Sequence, residues 1–227
     1  MVIKIKDIFC GQKQDIDDGN KQYQSSYKKV DLKKQSYFIT ELGFKDDTQS
    51  DKAHHGGVDK AVCVYPLKSY EFFKQKYDFD LSICSFGENF SIEDFDDSDI
   101  CLGDVFKCGE VLLEVSQPRQ PCWKISSIVG IKSLTALVVK EFKTGFYFRV
   151  IQNGFMKKGD SLILEQRKYP KLTIEFINKC AFNAKENQEN IKEILESKSL
   201  AIAYRTSLLK RYKDKENGLQ DWQKDNY

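Results

Sequence analysis

The sequence has few of the residues and motifs that mark the commonest functional classes. Its 227 residues include two histidines, the adjacent His54 and His55, and four prolines. The seven cysteines are odd in number and form no Cys-x-x-Cys pair, which argues against a disulfide framework and against a zinc ribbon. There is no glycine-rich loop of the dinucleotide or P-loop type and no Gly-x-Ser-x-Gly motif. Any chemistry must therefore come from a different arrangement of residues.

The charge and hydropathy of the chain also argue against several kinds of partner. The formal net charge is only +2, so we expect no direct binding to nucleic acid, and an anion site has to come from local clustering of cations. The first residues have no apolar signal core, and no stretch is long enough to span a bilayer, so we expect no membrane contact. Because unpaired cysteines suit a reducing compartment, the predicted location is the cytoplasm.

Short apolar stretches separated by turn residues extend to about residue 166. Strands are predicted near residues 2–10, 37–40, 61–65, 105–113, 146–151 and 161–165, with a turn at residues 15–20 and a long polar loop at residues 43–59. The spacing of Tyr70, Phe73 and Tyr77 predicts one short helix, and residues 134–142 predict another. Many short strands with turns between them are typical of a β-barrel or a sandwich.

The pattern changes to helical spacing after residue 170. Three amphipathic segments follow, and Thr173 and Ser199 are the predicted N-caps of the first and the third. We therefore predict a mainly β domain at residues 1–166 and a small three-helix domain at residues 170–216. The polar residues 217–227 are predicted to be a frayed tail.

The most distinctive stretch for chemistry is residues 116–124, which contain two of the four prolines. Pro118 and Pro121 stiffen the backbone before Cys122. Arg119 and Lys124 place two positive charges near the thiol in sequence, and nearby cations favour the reactive thiolate. We therefore consider Cys122 a candidate nucleophile or metal ligand. The alternative is a buried structural cysteine after a proline-rich turn, since free cysteine is among the most buried residue types.

A second candidate is the glycine-containing stretch at residues 54–60, which holds both histidines. Gly56 and Gly57 permit a close backbone approach to a ligand, and Lys60 adds charge, so the stretch is a candidate phosphate cradle. On the residue types alone, a plain glycine turn is the favoured interpretation. Cys122 and His55 also form a candidate pair of nucleophile and base, although the sequence does not show that they meet.

The acidic segment at residues 93–99 resembles a calcium loop only superficially. Counted from Asp94, Asp99 stands where the loop needs glycine and Val105 stands where it needs a bidentate glutamate. We therefore predict a solvated acidic turn and no calcium site.

The ordered set of motifs resembles the MOSC domain family. The set begins with residues 42–62 and continues with Tyr65-Pro66, Phe-Gly-Glu-Asn at 86–89, Gly103-Asp104 and Pro-Arg-Gln-Pro-Cys at 118–122, and it ends at Gly159-Asp160. The appended helices resemble the C-terminal three-helix domain of the hydroxylaminopurine-resistance subfamily. Three positions depart from the family pattern: Asp46 replaces a loop glycine, Lys60 stands where arginine is more common, and Phe90 replaces leucine.

The resemblance implies a MOSC-type β-barrel with a few short helices that binds the molybdenum cofactor, a molybdopterin. Cys122 would give a thiolate to the metal, as soft ligands suit a metal already bound by sulfur. The implied activity is the two-electron reduction of N-hydroxylated small molecules such as N-hydroxylated purine bases, with electrons from a separate reductase. A homodimer is compatible with the sequence. The residues assigned to binding the cofactor are Lys29, His55, Gly56, Gly57, Lys60, Asn89, Gln117, Arg119 and Lys124.

Two other functions compete with this one. The protein could be a carrier of the cofactor or of sulfur, with a persulfide on Cys122 and no turnover. It could also be a simple thiol enzyme that uses Cys122 and His55. Metal content together with turnover separates the three hypotheses.

Overall fold

The computed structural model describes residues 1–19, 21–48 and 56–224. Its strands are β1 (Val2–Ile8), β2 (Gln14–Asp17), β3 (Gln22–Ser25), β4 (Ser36–Thr40), β5 (Gly43–Phe44), β6 (Val62–Pro66), β7 (Phe90–Ile92), β8 (Val105–Cys108), β9 (Val111–Pro118), β10 (Phe146–Gln152), β11 (Gly154–Lys157) and β12 (Ser161–Gln166). The helices are α1 (Leu67–Tyr77), α2 (Lys124–Val129), α3 (Leu134–Lys140), α4 (Ile174–Phe182), α5 (Gln188–Glu196) and α6 (Ile202–Asp214). Short 3-10 turns form at Val58–Lys60 and Asp221–Gln223. No helix among the described residues is both long enough and apolar enough to cross a membrane.

Seven strands close into a barrel in the order β1-β12-β8-β9-β10-β6-β7, and β7 then pairs with β1. Strands β6 and β7 run parallel, and the other barrel pairs are antiparallel. Side chains that alternate along β1 fill the interior, among them Ile3 and Ile5, while β6 is buried along its whole length. A second apolar cluster, which includes Tyr65, Phe73 and Leu137, covers β6 from outside the barrel. The predicted β-barrel is therefore confirmed.

Gly145 controls the close approach of two barrel strands. Its φ is +71°, and a Cβ at this position would lie 2.5 Å from the carbonyl oxygen of Val64. Only glycine fits such a contact in this backbone conformation. The carbonyl of Gly145 in turn accepts a hydrogen bond from the backbone N–H of Arg119 at 2.9 Å. The glycine therefore fixes the point at which the chain leaves β9 towards Cys122.

The helical segment α4–α6 has its own apolar cluster, which also includes Leu102 and Leu172. Thr173 caps α4 as predicted, because its hydroxyl accepts from the N–H of Phe176 at 3.1 Å. The predicted cap Ser199 is wrong: Ala201 is the N-cap of α6, and the Ser199 hydroxyl donates to Glu114 Oε1 of β9 at 2.8 Å. The division into domains at residues 1–166 and 170–216 stays a prediction.

Several local predictions differ from the structure. Residues 15–17 of the turn predicted at 15–20 belong to β2, which pairs with β3 and carries Ile16 as its buried residue. A turn does follow, because the Asp18 N–H donates to the Lys21 carbonyl at 3.2 Å. The predicted loop at 43–59 contains β5 and the Val58–Lys60 turn, while residues 49–55 lie outside the described part. Strand β11 and helix α2 were not predicted at all. These elements are short or polar, so their hydrophobic pattern is weak.

Two polar segments are more deeply packed than predicted. Asp97 in the acidic segment is fully buried, and its Oδ2 accepts from the N–H groups of Thr144 and Gly145 at 2.8 Å and 3.0 Å. The segment is therefore not simply a solvated turn. Within the predicted frayed tail, Gln223 is buried, and its side-chain N–H donates to the carbonyl of Pro121 at 2.7 Å. Residues 221–223 form a packed turn because this bond attaches them to the stretch that contains Cys122.

Candidate functional site

Cys122 lies where β9 leaves the barrel and α2 begins. The chain turns after Pro118, and the Ile125 N–H donates to the Cys122 carbonyl at 3.1 Å as the first turn of α2 forms. The Cys122 side chain is half-buried and lines both an inner cavity and an adjoining open cleft. The thiol therefore lies at the junction of two spaces, which differs from the buried structural cysteine considered as the alternative.

The inner cavity encloses about 80 Å³ beside β6 and β10, where Cys63 and Tyr147 line it on the side opposite the barrel core. Gly87 lines it with a φ of +65°, and a Cβ there would lie 3.0 Å from the carbonyl oxygen of Tyr27. A larger residue would close this side of the cavity. The described residues that line the cavity are Ser25, Ser26, Tyr27, Lys29, Asp47, Thr48, Lys60, Cys63, Gly87, Asn89, Arg119, Cys122, Lys124 and Tyr147.

A buried ion pair forms one wall of the cavity. Lys29 Nζ lies 2.7 Å from Asp47 Oδ2, and the two side chains are only 9% and 6% exposed. Asp47 also accepts from the N–H of Gly11 at 2.7 Å and from Asn89 Nδ2 at 2.9 Å. This network joins the N-terminal strand, the loop after β5 and the turn before β7. Lys29 was predicted as a phosphate partner, but its ammonium is already paired with a carboxylate.

Arg119 is the second buried cation of the cavity. Its side chain is nearly inaccessible, and its Nη1 has no hydrogen-bond partner among the described residues. The guanidinium lies over the Tyr27 ring at 5.7 Å. Burial opposes its charge, but the neighbouring Cys63 and Tyr27 raise the pKa of Arg119, so the guanidinium stays protonated. An unpartnered buried N–H next to a cavity is a position for an acceptor atom of a ligand.

The charge of the lining favours an anionic ligand. Among the described lining residues there are four cations, Lys29, Lys60, Arg119 and Lys124, and one carboxylate, Asp47. Asp47 pairs with Lys29, and Lys60, Arg119 and Lys124 also bring positively charged groups to the lining. Lys60 and Lys124 line both the cavity and the cleft. The structure therefore brings together the predicted residues Lys29, Lys60, Asn89, Arg119, Cys122 and Lys124.

Other predicted ligand residues lie differently. Asn89 lines the cavity, but its Oδ1 accepts from the Cys63 N–H at 3.0 Å and its Nδ2 donates to Phe9 and Asp47. Gln117 is 1% exposed and does not line the cavity, because it points into the β9–β10 pair and its Nε2 donates to the Pro118 carbonyl.

The glycine stretch is only partly described. Gly56 and Gly57 are described but do not line the cavity, and Lys60 is the described residue of this stretch that reaches it. His54 and His55 lie outside the described residues, so both the phosphate cradle and the Cys122–His55 pair stay predictions.

Eight described residues of the cavity lining were not among the predicted site residues: Ser25, Ser26, Tyr27, Asp47, Thr48, Cys63, Gly87 and Tyr147. Cys63 and Tyr147 pair across β6 and β10, and burial raises the pKa of both groups, so each keeps its proton at neutral pH. Burial likewise raises the pKa of Cys10 to about 12 and that of Cys101 to about 11. The alternation of side chains along β6 and β10 was the available signal, but it does not show which loops cover the outer side of these strands.

Behind the cavity, Glu88 is fully buried, and burial raises its pKa. Its Oε1 accepts from the Tyr70 hydroxyl at 2.7 Å, from the Ser91 hydroxyl at 2.9 Å and from the Cys84 N–H at 3.1 Å. These bonds fix the turn that presents Gly87 and Asn89 to the cavity. The Phe-Gly-Glu-Asn motif thus has a structural role in shaping the site.

The closed barrel, the cation-lined cavity and the half-buried thiol at its mouth define a small β-barrel protein with a site suited to an anionic ligand. A search with family models matches residues 51–163 to the MOSC domain, and the chain belongs to the MOSC domain family.

Its relatives share both the sequence and the fold. YflK of Bacillus subtilis is 36% identical over 178 residues, which cover 78% of this chain and 80% of that protein. The crystal structure of YiiM from Geobacillus stearothermophilus matches with a TM-score of 0.76 at 28% identity, covering 92% of this chain and 99% of that one. A protein named Reductase from Gibberella moniliformis is 32% identical over 145 residues, 60% of this chain but 25% of its own length.

Proposed function

We propose that the protein binds the molybdenum cofactor in the inner cavity through Cys122 and reduces N-hydroxylated small molecules. The observation that carries the proposal is the position of Cys122, a half-buried thiol between a cation-lined cavity and an open cleft in a MOSC barrel. The relative named Reductase is consistent with this class of reaction.

The residues present fit such a group in charge and in donor type. A pterin phosphate is anionic, and Lys60, Arg119 and Lys124 bring positive charge to the lining of the cavity. The unpartnered Arg119 Nη1 offers a buried donor, and the Cys122 sulfur offers the soft ligand. The cavity of about 80 Å³ is smaller than the roughly 300 Å³ of common ligand sites. It therefore takes a phosphate or one edge of a ring, and the rest of the group extends towards Cys122.

When bound, the cofactor supplies two-electron redox chemistry at its metal. The protein supplies position and electrostatics. Cys122 would ligate the metal, and Arg119 and Lys60 would bind the phosphate. Tyr147 lines both the cavity and the cleft, and its protonated hydroxyl is able to donate a hydrogen bond to an oxygen next to Cys122. Electrons come from a separate reductase, because the sequence has no flavin, haem or iron–sulfur motif.

The test is to purify the protein from a host that makes the cofactor and to measure molybdenum per chain and N-hydroxyl reduction with a supplied reductant. We expect one metal per chain and turnover in the wild type, and the loss of both in Cys122→Ser. Cys180→Ser is the matched control, because that buried thiol lies in α4 away from the cavity. Metal without turnover would identify a carrier, and turnover without metal would identify a thiol enzyme; either result overturns the proposal.

A further inference from the structure

The open cleft beside Cys122 is much larger than the inner cavity. It encloses about 750 Å³, and it shares Lys60, Cys122, Lys124 and Tyr147 with the cavity. The cleft then continues away from the barrel between the start of α2 and the C-terminal segment, where Trp123, Ser207 and Trp222 line it. A molecule in this far part lies next to the thiol without occupying the inner cavity.

The C-terminal wall of the cleft is attached to the residues that precede Cys122. The side-chain N–H of Gln223 donates to the Pro121 carbonyl at 2.7 Å, and Gln223 is only 8% exposed. Gln220 and Gln223 also form a reciprocal capping pair around the turn that carries Trp222. Hydrogen bonds of Gln220 and Gln223, which lie on either side of Trp222 in the sequence, therefore fix its backbone relative to Cys122.

The lining of the far part is aromatic and carries no negative charge. Trp123, Trp222 and Tyr23 line it, with Lys21 Nζ over the Trp123 ring at 5.4 Å and Lys124 Nζ over the Tyr23 ring at 5.7 Å. The described lining residues of the whole cleft include no aspartate or glutamate. Trp123 packs edge-on against Tyr23 with ring centroids 4.8 Å apart, and Trp222 remains 36% exposed. Exposed ring faces in a cleft bind flat π-systems by stacking, and this contact tolerates different ring substituents.

We propose that the far part of the cleft is the substrate subsite and that it binds a planar aromatic heterocycle, with Trp222 as its stacking surface and the N-hydroxyl group directed to Cys122. This inference rests on the proposed function for the N-hydroxyl group, but the binding of the ring is a separate claim. It gives the C-terminal segment a role in substrate selection. A small aliphatic N-hydroxyl compound reaches Cys122 without contacting Trp222.

The test compares Trp222→Ala and Trp222→Phe with the wild type in the metal-loaded protein. Calorimetry measures the binding of an N-hydroxylated purine base, and steady-state kinetics compare that base with acetohydroxamic acid as a small aliphatic substrate. Loss of one base–aromatic stack is expected to weaken purine binding about tenfold in Trp222→Ala. Trp222→Phe should retain most of the affinity, and the kinetics with acetohydroxamic acid should be unchanged in both variants.

Phe155→Ala is the matched control, because Phe155 is an exposed aromatic residue on β11 with no part in the cleft. Unchanged purine affinity in Trp222→Ala, while acetohydroxamic acid is still reduced, would overturn the subsite and leave the proposed function intact. A loss of molybdenum in Trp222→Ala would also overturn it, since the far part would then bind the cofactor. Purine binding that depends on Trp222 in a protein without turnover would support the subsite and contradict the proposed function.

Discussion

The two sides of Cys122 are built from different parts of the chain and in different ways. The inner cavity is small and is formed by two barrel-strand residues together with loop residues, and its polar groups are fixed by buried bonds such as those of Asp47 and Asn89. The cleft is wide, aromatic and closed on one side by the C-terminal segment. A rigid charged cavity suits a permanently bound group, whereas an open aromatic cleft suits a molecule that enters and leaves. The predictions below test this difference, beginning with the largest effect.

Removal of the Cys122 sulfur, which lies between the cavity and the cleft, should abolish both molybdenum binding and turnover. We expect Cys122→Ser to lose molybdenum and turnover completely, because a neutral hydroxyl is a poor ligand for a soft metal site. The melting temperature should stay within a few degrees of that of the cofactor-free wild type, since Cys122 is only half-buried. A metal-free variant that has also unfolded would indicate a structural role for this residue instead.

On the cavity side, Asp47→Ala should strongly destabilise the fold. The substitution leaves Lys29 buried without its partner, and breaking a buried pair by removing one member costs about 4 kcal/mol in unfolding free energy. Urea denaturation measures this loss. The matched control is Asp46→Ala, whose pair with Lys34 is exposed and should contribute less than about 1 kcal/mol. Equal losses in the two variants would contradict the rigid cavity wall.

Asp97 accepts a hydrogen bond from Gly145, whose carbonyl in turn accepts from Arg119. The titration of Asp97 makes the free energy of unfolding depend on pH. Burial raises its pKa to about 7, against the opposing effect of the N–H groups of Gly145 and Thr144 and of Lys143. The ordinary value is 3.8, so between about pH 4 and pH 7 the folded state retains a proton that the unfolded state has lost. Stability must therefore fall as pH rises through this window.

We expect the wild type to lose on the order of 3 kcal/mol relative to Asp97→Asn between pH 4 and pH 7. Unfolding curves at both pH values, measured for both proteins, check the difference. A difference that does not change with pH would show that Asp97 titrates at its ordinary value, and a difference of the opposite sign would show that its folded-state pKa is lowered.

On the cleft side, Gln223→Ala should have the smallest effect on stability. It removes one hydrogen bond to the Pro121 carbonyl, which contributes about 1 kcal/mol. The larger consequence should be a raised KM for an aromatic substrate with unchanged molybdenum content, because the wall that carries Trp222 loosens. Loss of molybdenum binding in this variant would show that the cavity and the cleft do not act independently.

The sequence predicts the regular parts of this molecule because hydrophobic spacing is local information. The barrel strands, α1 and the Thr173 cap all follow from apolar spacing and turn residues within a few positions. The Cys122 loop also follows from local features, namely two prolines and two cations near one thiol.

The remainder depends on contacts between distant positions. The bond between Asp47 and Asn89 joins residues 42 apart, and the bond between Gln223 and Pro121 joins residues 102 apart. The acidic composition around Asp97 predicts a solvated segment. In the structure Asp97 is buried and accepts hydrogen bonds from the N–H groups of Thr144 and Gly145. Such pairings are set by closure of the barrel and have no periodic signature in the chain.

The most direct test of the central claim is alkylation of Cys122 in the metal-loaded and in the cofactor-stripped protein, read by mass spectrometry. If the Cys122 sulfur ligates the metal, iodoacetamide should leave it unmodified in the loaded protein and label it after stripping. Cys84, the other partly exposed thiol among the described residues, should react slowly and to the same extent in both, because burial and the neighbouring Glu88 raise its pKa. Rapid labelling of Cys122 in a protein that keeps all its molybdenum would contradict the account.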